Sequence, residues 1–358
     1  MSEAQPDSSP RGPQLRGALD QIADYRAGRA AGAGAFKLSS NENPFPPLPS
    51  VVAAITDAAA DVNRYPDFAA GRLVEALAAR HGVEPERIAL GTGSVAVLGQ
   101  AINVCAEPGA EVVFAWRSFE AYPIVTRLAG ATPVMVPLRA DETHDLAAMA
   151  DAVTDRTAAV LVCTPNNPTG AVVTKSALLR FVEHVPSDVL IVVDEAYVEF
   201  VRRDDCPDAL TFLADRPNVM VLRTFSKAYG LAGLRLGYAV AHAPVASALR
   251  KAAVPFGVTT LAERAALASL DAEPELMRRV QLIVDERVRV GRALREAGVD
   301  VQESQGNFLW LRLGADTDSF AADCEAAGVV VRAFAGEGVR ITMGEPTAND
   351  RFLAVATR

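Results

Sequence analysis

Thr224-Phe225-Ser226-Lys227-Ala228-Tyr229-Gly230-Leu231-Ala232-Gly233-Leu234-Arg235 is the stretch on which the reading of this chain turns. It follows an apolar run, Val219 to Leu222, that reads as a short buried strand. A lysine among small residues past a strand end is ordinarily just a solvated side chain. Its neighbours point elsewhere. Thr224, Ser226 and Arg235 gather two hydroxyls and a guanidinium, and a guanidinium offers phosphate oxygens a planar fork of donors. The segment therefore reads as an amine nucleophile beside a phosphate cradle.

Outward from this segment, strands alternate with helices. Ile88–Leu90, Glu111–Trp116, Thr132–Val136, Ala158–Cys163, Leu190–Val193, Val219–Leu222 and Leu236–Ala241 read as seven strands. Helical patterns at Ser94–Cys105, Glu120–Ala129, Leu146–Val153 and Thr174–His184 separate several of them. Such alternation predicts an α/β fold, a mostly parallel seven-stranded sheet covered by helices on both faces. Ligands of such sheets bind beyond the carboxyl ends of the strands. Past Ala243 the pattern changes to helices at Leu261–Leu270 and Pro274–Ala297. Strands at Asn307–Leu313, Val329–Phe334 and Val339–Met343 follow, around a helix at Thr317–Ala327. That predicts a smaller α+β domain. The divisions expected are a tail and arm (1–50, with 1–16 mobile), a large domain (51–255) and a small C-terminal domain (256–358). The segment is Pro-rich from Asn43 to Pro47, which keeps it out of helix, and it reads as either a linker or an arm lying across another surface. Leu19–Tyr25 reads as a short helix or extended arm.

The strand ends carry most of the chemistry. Gly91-Thr92-Gly93-Ser94-Val95-Ala96 fits GxGxxA after a strand, but the next strand ends in Ala115-Trp116 with no acid to hold a ribose, which weakens a dinucleotide reading. What survives is a helix opening on small residues, whose free N–H groups and positive dipole end suit a phosphate. Pro165-Asn166-Asn167-Pro168-Thr169-Gly170 forces a sharp loop. There Asn167 either satisfies local backbone or donates to a ligand oxygen. In Ile191-Val192-Val193-Asp194-Glu195-Ala196-Tyr197 a carboxylate ends a buried apolar strand. That placement is costly unless Asp194 caps the next helix or pairs with a cation such as a protonated pyridine nitrogen. Tyr197 would then reach a phenolic oxygen on the same ring. Phe119 is core or lies flat on a ring at the site. Arg340, on a short strand near the C-terminus, is a natural clamp for a carboxylate or phosphate, with Arg332 a second candidate and Asn307 placed to orient one of them. A lysine, a phosphate cradle and a buried carboxylate together are what pyridoxal phosphate needs: a Schiff-base amine, an anchor and a partner for the ring nitrogen.

Composition narrows the field. Of 358 residues half are hydrophobic, and no apolar run approaches the ~18 residues of a membrane span. A net charge of −9 without a basic stripe argues against nucleic acid. Cys105, Cys163, Cys206 and Cys324 are scattered, as expected of reduced thiols in the cytoplasm, and His81, His144, His184 and His242 lack metal-ligand spacing. No metal is expected. The first sixteen residues have no apolar core of a secretory signal.

Asn-Asn-Pro-Thr-Gly, Asp-Glu-Ala-Tyr 27 residues after Asn167, Ser-Lys 33 residues after Asp194, and then Arg235 are together far more specific than any one of them. The set resembles the fold-type I pyridoxal-phosphate-dependent aminotransferases, in the histidinol-phosphate aminotransferase branch, from Leu38 to Thr342. Trp116-Arg117-Ser118-Phe119-Glu120-Ala121-Tyr122-Pro123 resembles the actinobacterial aromatic-amino-acid (phenylalanine) subgroup, with Phe at the ring-stacking position. The resemblance implies that Lys227 forms the Schiff base and shuttles a proton, while Asp194 holds the pyridinium proton. It implies that Tyr197 and Asn167 bond the ring oxygen, and that Gly93, Ser94, Val95, Thr224, Ser226 and Arg235 bind the phosphate under Phe119. Val95 stands where many relatives carry an acid, which leaves only its backbone N–H for that task. Tyr65 would reach the partner subunit's cofactor, making the unit a homodimer. Arg340 would grip the substrate carboxylate, with Tyr25 and the arm around Asn43 closing over the side chain. The expected reaction moves an amino group between an aromatic amino acid and 2-oxoglutarate by ping-pong kinetics. The alternative substrate is histidinol phosphate, and a decarboxylase of the same fold is a further rival. A cofactor-sensing regulator would need an appended DNA-binding domain, which the sixteen polar residues ahead of the arm are not expected to supply.

Overall fold

The computed structural model describes residues 13, 16–22, 32, 34–206, 209–212 and 216–358. Twelve strands occur in these residues. They are β1 (Phe36–Lys37), β2 (Ile88–Gly91), β3 (Glu111–Trp116), β4 (Thr132–Pro137), β5 (Thr157–Cys163) and β6 (Leu190–Asp194), then β7 (Val219–Thr224), β8 (Gly237–Val240), β9 (Phe308–Arg312), β10 (Val329–Val330), β11 (Arg332–Phe334) and β12 (Gly338–Thr342). Seven of them form one sheet in the order β2-β8-β7-β6-β5-β3-β4. β8 is antiparallel to both its neighbours, and the other six strands run the same way. The expected α/β sheet of seven mostly parallel strands is therefore the fold.

Its apolar runs are continuous because both faces are covered. Ile191, Val193, Val219 and Val221 belong to one buried cluster, while Leu190, Val192, Met220 and Leu222 belong to another. The two-residue period of a strand sends alternate side chains to opposite faces, so each face needs apolar residues of its own. The consequence for function is positional: β2, β3, β5, β6 and β7 bring Gly93, Ser118, Asn167, Asp194 and Ser226 out at one edge.

The second layer of structure is a three-stranded antiparallel sheet, β11-β12-β9, beside a two-stranded parallel pair, β1-β10. Here one expectation is corrected. Val329–Phe334 is not one strand but two, divided at Val331. Its first half pairs with the arm at Phe36 and Lys37, while its second half pairs with β12. The arm is tied further by Leu38, whose N–H donates to Val330 O at 2.8 Å and whose carbonyl accepts from Thr342 N at 2.9 Å. Two helices, Ala243–Ala252 and Pro346–Ala356, were not expected. Both carry proline in the first turn, where the missing N–H is harmless, so the prolines start these helices and do not break them. Leu19–Tyr25 meets a 3-10 turn at Gly17–Gln21, and Tyr25 itself lies outside the described residues.

Candidate active site

A cavity of about 280 Å³ opens at the carboxyl edge of the large sheet. It is lined by Ser94, Val95, Phe119, Asn167, Asp194, Tyr197, Thr224, Ser226, Lys227, Arg235, Arg332 and Arg340, together with Ser39 to Glu42 of the arm. Most residues singled out from sequence thus converge, although 246 positions separate Ser94 from Arg340.

The amine of Lys227 enters this cavity directly after β7. Its Nζ donates to Ser40 O at 3.3 Å and lies 5.8 Å from the centre of the Tyr197 ring. Enclosure by protein, then the positive charge of Arg340, lowers its pKa to about 7. An amine so poised is substantially neutral at physiological pH, which a nucleophile requires. Asp194 ends β6 and is buried. Burial raises its pKa to about 6, opposed by the Tyr122 hydroxyl, which donates to Oδ2 at 2.8 Å. Ala196 N also donates to Oδ1 at 3.3 Å.

Polar residues of neighbouring loops complete the lining. Asn166 locks the proline-rich loop. Its Oδ1 accepts from Ser118 Oγ at 2.7 Å and its Nδ2 donates to Arg117 O at 3.1 Å. That leaves Asn167 to face the cavity, where its Oδ1 accepts from Arg340 Nη1 at 2.5 Å. Arg340 Nη2 donates to Ser39 O at 2.7 Å. The Tyr197 hydroxyl accepts from Asn41 Nδ2 at 2.9 Å.

The turn expected to cradle a phosphate is built on close backbone approach. The helix Ser94–Cys105 opens at Gly93, and the first N–H groups of a helix have no intrahelical acceptor. Gly93 has φ +89°, and a side chain there would strike the Arg235 guanidinium. Gly237 must also stay bare, because a Cβ would meet Gly93 and Ser94 backbone. Arg235 takes the left-handed conformation at φ +53° and donates to Ser226 Oγ at 3.4 Å. Thr224 Oγ1 accepts from Ser226 N at 3.1 Å, holding the turn.

Asn43 and Asn307 are placed otherwise than the sequence reading has them. Asn43 does not line the cavity; its Nδ2 donates to Ala228 O at 3.0 Å and its Oδ1 accepts from Phe45 N at 3.0 Å. It props the backbone beside Lys227, and Asn41 is the arm residue that turns inward. Asn307 Nδ2 donates to Asn41 O at 3.2 Å, and its Oδ1 accepts from neither arginine. Phe119 lines the cavity edge-on to Tyr122, with centroids 5.7 Å apart. Arg332 is held by Glu120, with Nη2 at 2.9 and 2.8 Å from the two carboxylate oxygens. Tyr65 is 83% exposed and stacks on Phe256 at 4.8 Å, away from the lining residues. Tyr122, Asn41 and Glu120 escaped notice because each looks like an ordinary helix or loop residue in sequence.

An amine of lowered pKa, an anion cradle of backbone N–H and hydroxyl groups, and a buried carboxylate, all lining one cavity, define a site for a phosphorylated aldehyde with a basic ring. The donor set fits pyridoxal 5'-phosphate. The family described as aminotransferase class I and II matches residues 33–355, and the chain belongs to it. The aromatic amino acid aminotransferase of Streptomyces coelicolor is 59% identical over 347 residues, covering 96% of this chain and 97% of that one. The enzyme so named from Thermobifida fusca is 58% identical over 359 residues, covering 99% and 98%. The crystal structure of histidinol-phosphate aminotransferase from Sinorhizobium meliloti in complex with pyridoxal-5'-phosphate superposes with a TM-score of 0.87 at 30% identity, covering 97% of both chains.

Proposed function

We propose that this aminotransferase exchanges the amino group of an aromatic amino acid, phenylalanine in type, with 2-oxoglutarate by a ping-pong mechanism. The observation that carries this reading is the cavity wall: Phe119 and Arg340 line the same cavity, and Arg332 is neutralised by Glu120. One cation suits one carboxylate, and the aromatic face suits an apolar side chain. The names of the relatives at 58–59% identity support the same substrate class.

Bound in the cavity, pyridoxal 5'-phosphate supplies an aldehyde for the amino group and a ring that takes up the electron pair left when the Cα–H bond breaks. The chain's own residues do the rest. Lys227 would hold the cofactor by its amine, and the same amine would move a proton to and from Cα of the substrate. Asp194 keeps a proton on the ring nitrogen by its negative charge, and the Tyr122 hydroxyl orients that carboxylate. Tyr197 and Asn167 donate to the ring oxygen. Gly93, Ser94, Val95, Thr224, Ser226 and Arg235 cradle the phosphate, and Phe119 packs on the ring. Arg340 orients the substrate carboxylate, and the arm lines the cavity with Ser39 to Glu42 while Asn43 braces the backbone beside Lys227.

Tyr65 belongs to an exposed aromatic cluster with Phe68 and Phe256. We assign this patch to a homodimer in which Tyr65 of each subunit reaches the other's phosphate cradle. Among the described residues no helix is long and apolar enough to cross a membrane, and no cluster of acidic, His or Cys residues could hold a metal. The four cysteines are free, consistent with a cytoplasmic enzyme.

The test is a substrate screen of purified holoenzyme with phenylalanine, tyrosine and histidinol phosphate against 2-oxoglutarate. The highest kcat/KM should belong to an aromatic amino acid. A higher value for histidinol phosphate overturns the substrate assignment. For the cofactor, the visible absorption of the lysine-bound form should be lost in Lys227→Ala.

A further inference from the structure

Arg332 and Arg340 are direct cross-strand partners on β11 and β12. Both line the cavity. They also flank one ring: their guanidinium carbons lie 5.6 and 6.0 Å from the centre of Phe334. Like charges directly opposite on antiparallel strands repel, and enclosure away from solvent sharpens the repulsion. Glu120 relieves it by reaching across from the loop after β3 to take Arg332 with both carboxylate oxygens. The pair is substantially enclosed, with side-chain exposures of 15% for Arg332 and 30% for Glu120.

We propose that Glu120 is a selectivity residue, which by neutralising Arg332 leaves Arg340 as the single cation that the described residues present at the acid-binding end of the cavity and so rejects amines bearing a phosphate there. The inference rests on the aromatic reading above. A carboxylate carries one negative charge and is matched by one fork of donors. A phosphate monoester carries between one and a half and two charges at neutral pH and offers three acceptor oxygens. To be held well it needs the second guanidinium, which stands directly opposite but is already occupied. Admission of phosphate then requires either breaking the Glu120–Arg332 pair or placing phosphate beside the Glu120 carboxylate, and both are unfavourable. 2-Oxoglutarate escapes this filter, because it gives Arg340 one carboxylate and carries the other at the far end of its chain.

The experiment compares holoenzymes of wild type, Glu120→Gln, Arg332→Gln and the double variant, with kcat and KM for phenylalanine and for histidinol phosphate. Cofactor absorption serves as the check of folding, and Glu120→Ala as a second variant at the same position. In Glu120→Gln the ratio of kcat/KM for histidinol phosphate to that for phenylalanine should rise by about tenfold or more, mainly through a lower KM for the phosphate. The rise should vanish in the double variant, since it needs the Arg332 charge. An unchanged ratio in both Glu120 variants, or a rise that persists without Arg332, overturns the proposal. The wild-type preference separates the two readings: a wild type that favours histidinol phosphate sinks the aromatic assignment itself. A wild type that favours phenylalanine, with no shift in the variants, sinks only the role of Glu120.

Discussion

The hydroxyl of Tyr122 donates to Asp194 Oδ2 at 2.8 Å, joining a helix residue to the last residue of β6 in an environment closed to solvent. Burial disfavours the charged form of Asp194, and this bond favours it. Tyr122→Phe keeps the packing against Phe114 and Phe119 but removes the donor. A hydrogen bond to a charged group is worth about 1.5–3 kcal/mol, so kcat/KM should fall by roughly ten- to hundredfold. Because Asp194 then ionises less readily, the acid limb of the kcat/KM–pH profile should move to higher pH. Equal rates and an unmoved limb would show that the bond is idle.

Lys227 makes a second pH prediction. Its amine is lowered to about 7, first by burial and then by the charge of Arg340. Below that pH the amine is protonated and unreactive, and above it the amine is neutral. The rate at which apoprotein takes up pyridoxal 5'-phosphate, followed by visible absorption, should therefore climb through pH ~7 and level off well below the ordinary lysine range. In Arg340→Met the second cause is gone and the midpoint should rise. A wild-type midpoint above pH 9 would contradict the assignment. The linkage to stability has a definite sign. Between the folded value and the ordinary one, the unfolded chain binds the extra proton, so this group makes apoprotein more stable as pH rises through that window.

Lys227, Asp194 and Asn167 were legible in sequence because each follows a buried apolar strand in one short motif, and strand ends are where such sheets place ligands. The groups that tune them were not. Asn41 meets Tyr197 across 156 positions, Tyr122 meets Asp194 across 72, and Glu120 meets Arg332 across 212. No periodicity encodes such pairings. Asn41 and Asn43 look equivalent in the arm, and only the φ of +52° at Asn41 turns one inward. The split of Val329–Phe334 was hidden for the same reason. A run of β-formers does not announce that its first half will pair with an arm from the other end of the chain.

Asn41 ties that arm to both sheets. Its Nδ2 donates to Tyr197, its N–H donates to Thr342 Oγ1 at 2.8 Å, and its Oδ1 accepts from the same hydroxyl at 3.1 Å. Asn41→Gly and Asn41→Ala both lose the side-chain bonds, but only alanine is forced into the left-handed region. Both should lower kcat/KM through a less well held Tyr197. Alanine should be the less stable of the two by about 1–2 kcal/mol, read from urea denaturation. Equal stabilities would show that the arm relaxes to another backbone conformation.

The ends of β6 and β7 are clamped together by a buried ion pair behind the site. Arg223 donates to Glu195 Oε2 from Nε at 3.0 Å and from Nη2 at 2.6 Å, while Glu195 Oε1 accepts from Ala209 N at 3.1 Å. Arg223→Met fills the same space but leaves an uncompensated carboxylate next to Asp194. The loss should be about 3–5 kcal/mol in urea denaturation of the apoprotein, because the remaining charge is stranded. Arg223→Met with Glu195→Gln removes both charges and keeps an oxygen for Ala209, so it should recover most of that loss. If the double variant were no more stable than Arg223→Met, the damage would lie in packing at position 223 and not in a stranded charge.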